Sequence, residues 1–210
     1  MPAEDQLPWV PLTFTQVASL FTDLTVPWWL AGGHAISAVV GRPYRRHDDI
    51  DVLVLRRDQA AVRSLLRAWD CWMADPPGTL RRWPVDALLP PAAHDVWCRE
   101  HAGGPWKLQL MFDEHDPASG WWRSRRDPRI TRPLATLTAP GTFPLPVLAP
   151  EIQLWYKAKQ PRPKDALDLA MVLPALSVVQ RAWLRQALRT TYGPTHPWFG
   201  ALNDTRLRPR

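Results

Sequence analysis

Two aspartates, Asp49 and Asp51, stand two residues apart at the head of the apolar run Val52-Leu53-Val54-Leu55. A short, unbroken, β-branched run of this kind predicts a buried strand. Side chains alternate along a strand, so Asp49 and Asp51 share one face while Asp48 and Ile50 take the other. Neighbouring carboxylates repel each other unless one holds a proton or a cation sits between them. A hard divalent cation such as Mg²⁺, liganded by oxygen and bridging substrate phosphates, resolves that conflict. Upstream lies Gly32-Gly33. Without Cβ atoms the backbone there can approach a ligand closely, and the N-terminus of a following helix favours an anion.

The elements that must position these residues are legible around them. Val17, Leu20, Phe21 and Leu24 have helical spacing behind Thr13, a candidate N-cap, and Pro27 ends that segment. Trp28 to Ala31 predicts the first strand, and Gly33 opens a helix that Gly41 closes. GRPYRRHD reads as a loop into the strand 49–55. Asp58 is placed to cap a helix with Val62, Leu65, Leu66 and Trp69 on its apolar face, and a strand follows over Cys71 to Ala74. This alternation argues an α/β fold. Residues 95–100 and 106–113, joined by the turn 101–104, read as a β-hairpin. From Pro150 the periodicity is helical: Ile152, Trp155 and Tyr156 on one stripe, then KDALDLAMVLPAL, then SVVQRAWLRQALRTTY. The expected division is a domain over residues 1–146 and a helical lobe over 147–210, with a frayed basic tail from Asn203.

In the order strand, Gly32-Gly33, helix, Arg45-x-His47-x-Asp49-Ile50-Asp51, strand, the chain resembles the nucleotidyltransferase superfamily with a polymerase-β-like palm. It looks most like the branch of aminoglycoside and lincosamide adenylyltransferases, over roughly residues 10–175, with Pro150-Glu151 to Lys157 and Lys164-Asp165 to Asp168 also similar. The resemblance implies a mixed-sheet palm (α+β) followed by a small C-terminal helical lobe. It implies AMP transfer from ATP to a hydroxyl of a small polar molecule, with two Mg²⁺ ions held by Asp49 and Asp51. Gly32, Gly33, Arg45 and Lys157 would then bind the nucleotide, Lys157 adding positive charge at the triphosphate. Arg45 and His47 shape the loop before the metal strand. Asp165 and Asp168 are expected to anchor Arg or Lys side chains of the helical lobe, with a place at the border of an acceptor site as the alternative.

Related enzymes carry a third carboxylate on a later strand as base or metal ligand. On the second hairpin strand Leu108, Leu110 and Phe112 should be core, and Gln109, Met111 and Asp113 should face the cleft. Gln109 occupies the position where an acid is expected, and glutamine cannot accept a proton. Asp113, Asp95 and Asp86 are the substitutes, and Asp113 is preferred for its shared parity with Gln109. Asp113, Glu114 and Asp116 after the hairpin could also meet a cationic acceptor. Trp121-Trp122 and the arginines of residues 116–146 read as an aromatic, loop-rich connection, with a wall of the acceptor or triphosphate site as the functional alternative.

Composition bounds the rest. The formal charge of +6 is carried mostly by arginine, which suits a polyanion such as a nucleoside triphosphate. The arginines are scattered, without a basic helix or an aromatic ribonucleoprotein motif, so nucleic acid is not the favoured partner. No apolar run approaches the ~20 residues of a membrane span, and the acidic, proline-punctuated start is unlike a signal peptide, so a cytoplasmic protein is expected. Cys71 and Cys98 read as buried thiols. There is no Walker-type phosphate loop, dinucleotide fingerprint or Gly-x-Ser-x-Gly elbow. Against the small-molecule transferase stand a toxin or antitoxin-type enzyme acting on protein or tRNA and a catalytically weak nucleotide-binding relative. Oligomeric state is not legible.

Overall fold

The computed structural model describes residues 4–76, 78–139 and 145–203. In chain order the principal elements are α1 (Phe14–Phe21), β1 (Trp28–Leu30), α2 (Gly32–Val40), β2 (Asp51–Leu55), α3 (Gln59–Leu65), β3 (Asp70–Ala74), β4 (Leu80–Arg82), β5 (Asp95–Arg99), β6 (Leu108–His115), β7 (Trp122–Arg123), β8 (Thr131–Arg132), β9 (Thr138–Ala139) and β10 (Val147–Leu148). Four helices follow: α4 (Pro150–Lys157), α5 (Pro163–Val172), α6 (Val178–Tyr192) and α7 (Phe199–Asn203). The strands form one mixed sheet in the order β4-β3-β5-β6-β2-β1-β10-β9, with β7 and β8 extending from the far end of β6. Strand β2 runs parallel to β6, and β1 parallel to β10.

Alternation along the central strands divides the core in two. Val52 and Val54 of β2, with Leu108, Leu110 and Phe112 of β6, pack with Val17 and Phe21 of α1 and Val62 of α3. Leu53, Leu55 and Met111 face the other way, onto Ile152 and Trp155 of α4, Leu169 of α5 and Leu184 of α6. The apolar stripes expected of these helices are therefore what covers the second face of the sheet. Helix α1 begins with a capping box in which Thr13 Oγ1 accepts from the Gln16 N–H at 3.2 Å and Gln16 Oε1 accepts from the Thr13 N–H at 2.8 Å. Gly41 ends α2 at φ 79°, in the left-handed region.

The mixed α/β palm and the hairpin are as expected, and Cys71 and Cys98 are free, buried thiols paired in register on β3 and β5. Three local expectations are corrected. Strand pairing begins at Asp51, so Asp49 lies in the irregular segment before β2. Asp58 makes no side-chain cap, because residues 56–58 form a 3-10 turn that leads straight into α3. The loop-rich connection after the hairpin holds three two-residue strands. Residues 204–210 of the expected tail lie outside the described residues, and among the described residues no helix is long and apolar enough to cross a membrane.

Candidate active site

The turn from β1 into α2 and the start of β2 are built against each other. The Ala31 N–H donates to the Asp51 carbonyl at 2.8 Å. Gly32 has φ +64°, and a Cβ there would stand 1.8 Å from Asp51 Oδ2; one on Gly33 would stand 2.4 Å from Arg45 Nη2 and His47 Nδ1. Both glycines thus make room for the acid and base side chains pressed on them. The Gly32 N–H, expected to face a phosphate, donates instead to Gln153 Oε1 of α4 at 2.8 Å. His47 bonds Ser37 Oγ at 2.8 Å, and burial, with His34 and Arg45 nearby, pushes its imidazole down to about 4.

These residues open onto a cavity of about 530 Å³, within the range of small-ligand sites. Asp49 and Asp51 both line it. Asp51 is 9% exposed, and burial, reinforced by the Asp49 carboxylate, pushes its carboxyl up to about 7. Asp48, expected to point away, also reaches the cavity, at its exposed edge, because it precedes the strand and alternation does not govern it. Lys157 of α4 also lines the cavity, its ammonium 3.2 Å from Asp165 and 3.0 Å from Asp168. Asp168, wholly buried, also accepts from Arg45 Nε at 2.6 Å and Tyr44 Oη at 2.7 Å. Burial alone would raise its carboxyl, but Arg45, Lys157 and Tyr44 outweigh it and hold it at about 2. Asp165 and Asp168 therefore anchor cations of the site: Lys157 of the helical lobe meets both, and Arg45 of the loop before β2 meets Asp168.

The sequence profile of the aminoglycoside-2''-adenylyltransferase family matches residues 13–172. The chain belongs to that family. Its fold is also that of solved nucleotidyltransferases. ANT(2'')-Ia in complex with adenylyl-2''-tobramycin superposes with a TM-score of 0.54 at 16% identity, over 85% of this chain and 95% of that one. Lincosamide adenylyltransferase LnuA, lincomycin-bound, gives 0.53 at 16% identity, over 78% and 98%. No curated protein matches the sequence.

In this adenylyltransferase the strand register decides where a third acid can stand. Gln109 lies directly beside Asp51 across the β2–β6 pair, the rung at which an acid was expected. Asp95 projects from β5, next to Met111, and its Oδ1 accepts from Gln109 Nε2 at 3.3 Å. It lines the cavity; Asp113 does not. Asp113, preferred for its parity, stands four residues beyond Gln109, where the strand has run beneath the helical lobe. Asp113 is fully buried and accepts from Trp122 Nε1 and Tyr156 Oη, both at 2.7 Å, and from Arg125 Nη1 at 3.4 Å. Glu114 is taken up by Arg56 at 2.6 Å, and Asp116 accepts from Ala118 and Ser119 of its own turn. Neither lines the cavity, and nor does Asp86. Conversely, Arg125, Arg126, Gln153, Lys159, Arg162 and Lys164 all line it; the arginine-rich 116–146 segment and the stretches 150–157 and 164–168 signalled four of them, and nothing signalled Lys159 or Arg162.

Proposed function

We propose that this enzyme transfers AMP from Mg·ATP to a hydroxyl of a small polar acceptor, with aminoglycoside- or lincosamide-like compounds as the class the family name suggests. The observation that carries the reading is that Asp49 and Asp51 line one cavity together with Arg45, Lys157 and further cationic side chains. The donor set is all oxygen, and Asp51 stays ionised at neutral pH only with help against burial and Asp49, which fits a hard divalent cation. Asp49 and Asp51 would hold Mg²⁺, two ions as in the resemblance. Among the described residues no cluster of three or more ligating side chains accompanies them, so the nucleotide phosphates would complete the coordination. When bound, the cation supplies Lewis-acid stabilisation of charge developing on the phosphoryl oxygens.

The remaining work falls to the chain. Gly32 and Gly33 leave room at the head of α2, and Lys157 and Arg45 set fixed positive charge toward the triphosphate. Asp95, not Asp113, is the general base in this reading: it takes the proton of the acceptor hydroxyl as that oxygen bonds the α-phosphorus and the bond to pyrophosphate breaks. Gln109 Nε2 and Arg125 Nη2 both donate to Asp95 Oδ1, each at 3.3 Å. The catalytically weak relative remains as a second reading because Gln109 occupies the rung beside Asp51. ATP labelled at the α-phosphate, incubated with Mg²⁺ and a panel of hydroxyl drugs beside protein and tRNA panels, tests the choice. Label on a small molecule supports the transferase reading; label on protein or tRNA redirects it, and nucleotide binding without transfer to anything favours the weak relative.

A further inference from the structure

Asp95 opens β5 opposite Met111 of β6, so Gln109 and Asp113, two residues to either side of Met111, are its diagonal neighbours on the same face of the sheet. Diagonal neighbours lie about 7–8 Å apart, a distance that a guanidinium set between two carboxylates can span. Arg125, from the loop after β7, takes that place. Its Nη1 donates to Asp113 Oδ1 at 3.4 Å and its Nη2 to Asp95 Oδ1 at 3.3 Å.

The two ends of this bridge differ. Asp113 is fully buried away from the cavity, and Trp122 Nε1 and Tyr156 Oη donate to it, both at 2.7 Å. Tyr156 also offers its ring, centred 5.0 Å from the Arg125 guanidinium. Asp95 is 36% exposed and stands at the cavity. Its bonds from Gln109 and Arg125 both fall on Oδ1, and among the described residues none falls on Oδ2. Asp113 is thus the fixed end and Asp95 the end open to a substrate. A planar guanidinium held at one carboxylate presents its other N–H in a set direction to the second.

Resting on the transfer reading above, we propose that Asp113 and Arg125 are positioning residues: Asp113 fixes Arg125, and Arg125 holds the Asp95 carboxylate at the angle in which it takes the acceptor proton. The proton goes to Asp95 alone. Steady-state kinetics on the intact protein tests this, with α-labelled ATP, Mg²⁺ and a panel of hydroxyl drugs that includes tobramycin and lincomycin. Arg125→Gln should lower kcat about 10-fold or more, the span of one charge-assisted hydrogen bond, while KM for Mg·ATP stays within about twofold. Arg125→Lys, which keeps the charge and loses the fork, should fall between. In an Asp95→Asn background neither Arg125→Gln nor Asp113→Asn should cost anything further, because a residue that acts through Asp95 then has nothing to position. Additive losses overturn the proposal, since damage that does not pass through Asp95 adds. A raised KM for Mg·ATP in Arg125→Gln also overturns it, making Arg125 a triphosphate ligand instead. The Arg125 arm decides the matter if Asp113→Asn does not fold. No label on any drug with the parent protein counts against the transfer reading and takes this proposal with it; label transfer with additive losses counts against the proposal alone.

Discussion

Asp49 and Asp51 differ in what surrounds them: Asp51 is buried at the start of the interior strand β2, Asp49 half-exposed in the loop before it. Replacing either by Asn should abolish the gain in ATP affinity that Mg²⁺ brings, read by titration with and without the metal. Asp48→Asn, at the exposed edge beside Arg46, should keep it. For the base, Asp95→Asn should lower kcat by about 10²–10⁴-fold, the usual contribution of general-base catalysis. Gln109→Glu should bring no gain, since it sets a second carboxylate against Asp95 where the amide now donates. Unchanged kcat in Asp95→Asn would remove it from the mechanism. Gly32→Ala should be as damaging as the metal-site changes, because its Cβ needs the space of Asp51 Oδ2 and its φ is positive. A backbone residue forced into that region costs about 1–3 kcal/mol, and both the melting temperature and Mg·ATP binding should fall.

At the scale of the element, α4, α5 and the loop before β2 meet on buried charge. Asp168 binds Arg45 and Tyr44 from that loop and Lys157 from α4. Asp168→Asn leaves those cations without their shared counter-charge, and breaking such a pair from one side costs about 3–5 kcal/mol, measurable by denaturant unfolding. The pH dependence follows from the direction of the shift. The folded carboxyl is held at about 2, below its ordinary value of 3.8, so its contribution is fully present above pH 4 and is lost as the pH falls toward 2. Wild-type stability should therefore drop through that window, and the Asp168→Asn variant should drop less. An identical acid limb in both would show that the cluster contributes nothing to it.

Over the whole molecule, one apolar cluster joins Trp29, Leu53 and Met111 of the sheet to Trp155, Leu169 and Leu184 of the helices. The proposed division at 146/147 therefore separates kinds of structure rather than two independent cores; it also leaves β10 on the helical side, although Val147 pairs with Leu30 and Ala139. Thermal unfolding should be a single transition, with far-UV circular dichroism and tryptophan fluorescence coinciding. The fragment 1–146 should fail to unfold cooperatively, because a sheet face stripped of its helices exposes Leu53, Leu55 and Met111. Two separated transitions in the intact chain would contradict this.

What the sequence determined by itself was local: the glycine pair, the aspartates two apart, the alternation of the hairpin and the helical stripes after Pro150. Each is written in spacing along a few residues, where the backbone period alone decides which side chains share a face. Only the tertiary structure decided which acid joins Asp49 and Asp51. Parity puts Asp95, Gln109 and Asp113 on one face, but how far along the sheet each lies, and what covers it, depends on the register between strands and on where the helical lobe docks. Those are long-range contacts with no local spacing to announce them. The same holds for Arg125 and Arg126. In sequence they are two of several scattered arginines; in the fold one packs on Tyr156 and partners Asp95, and the other bonds the carbonyls of Trp155 and Tyr156.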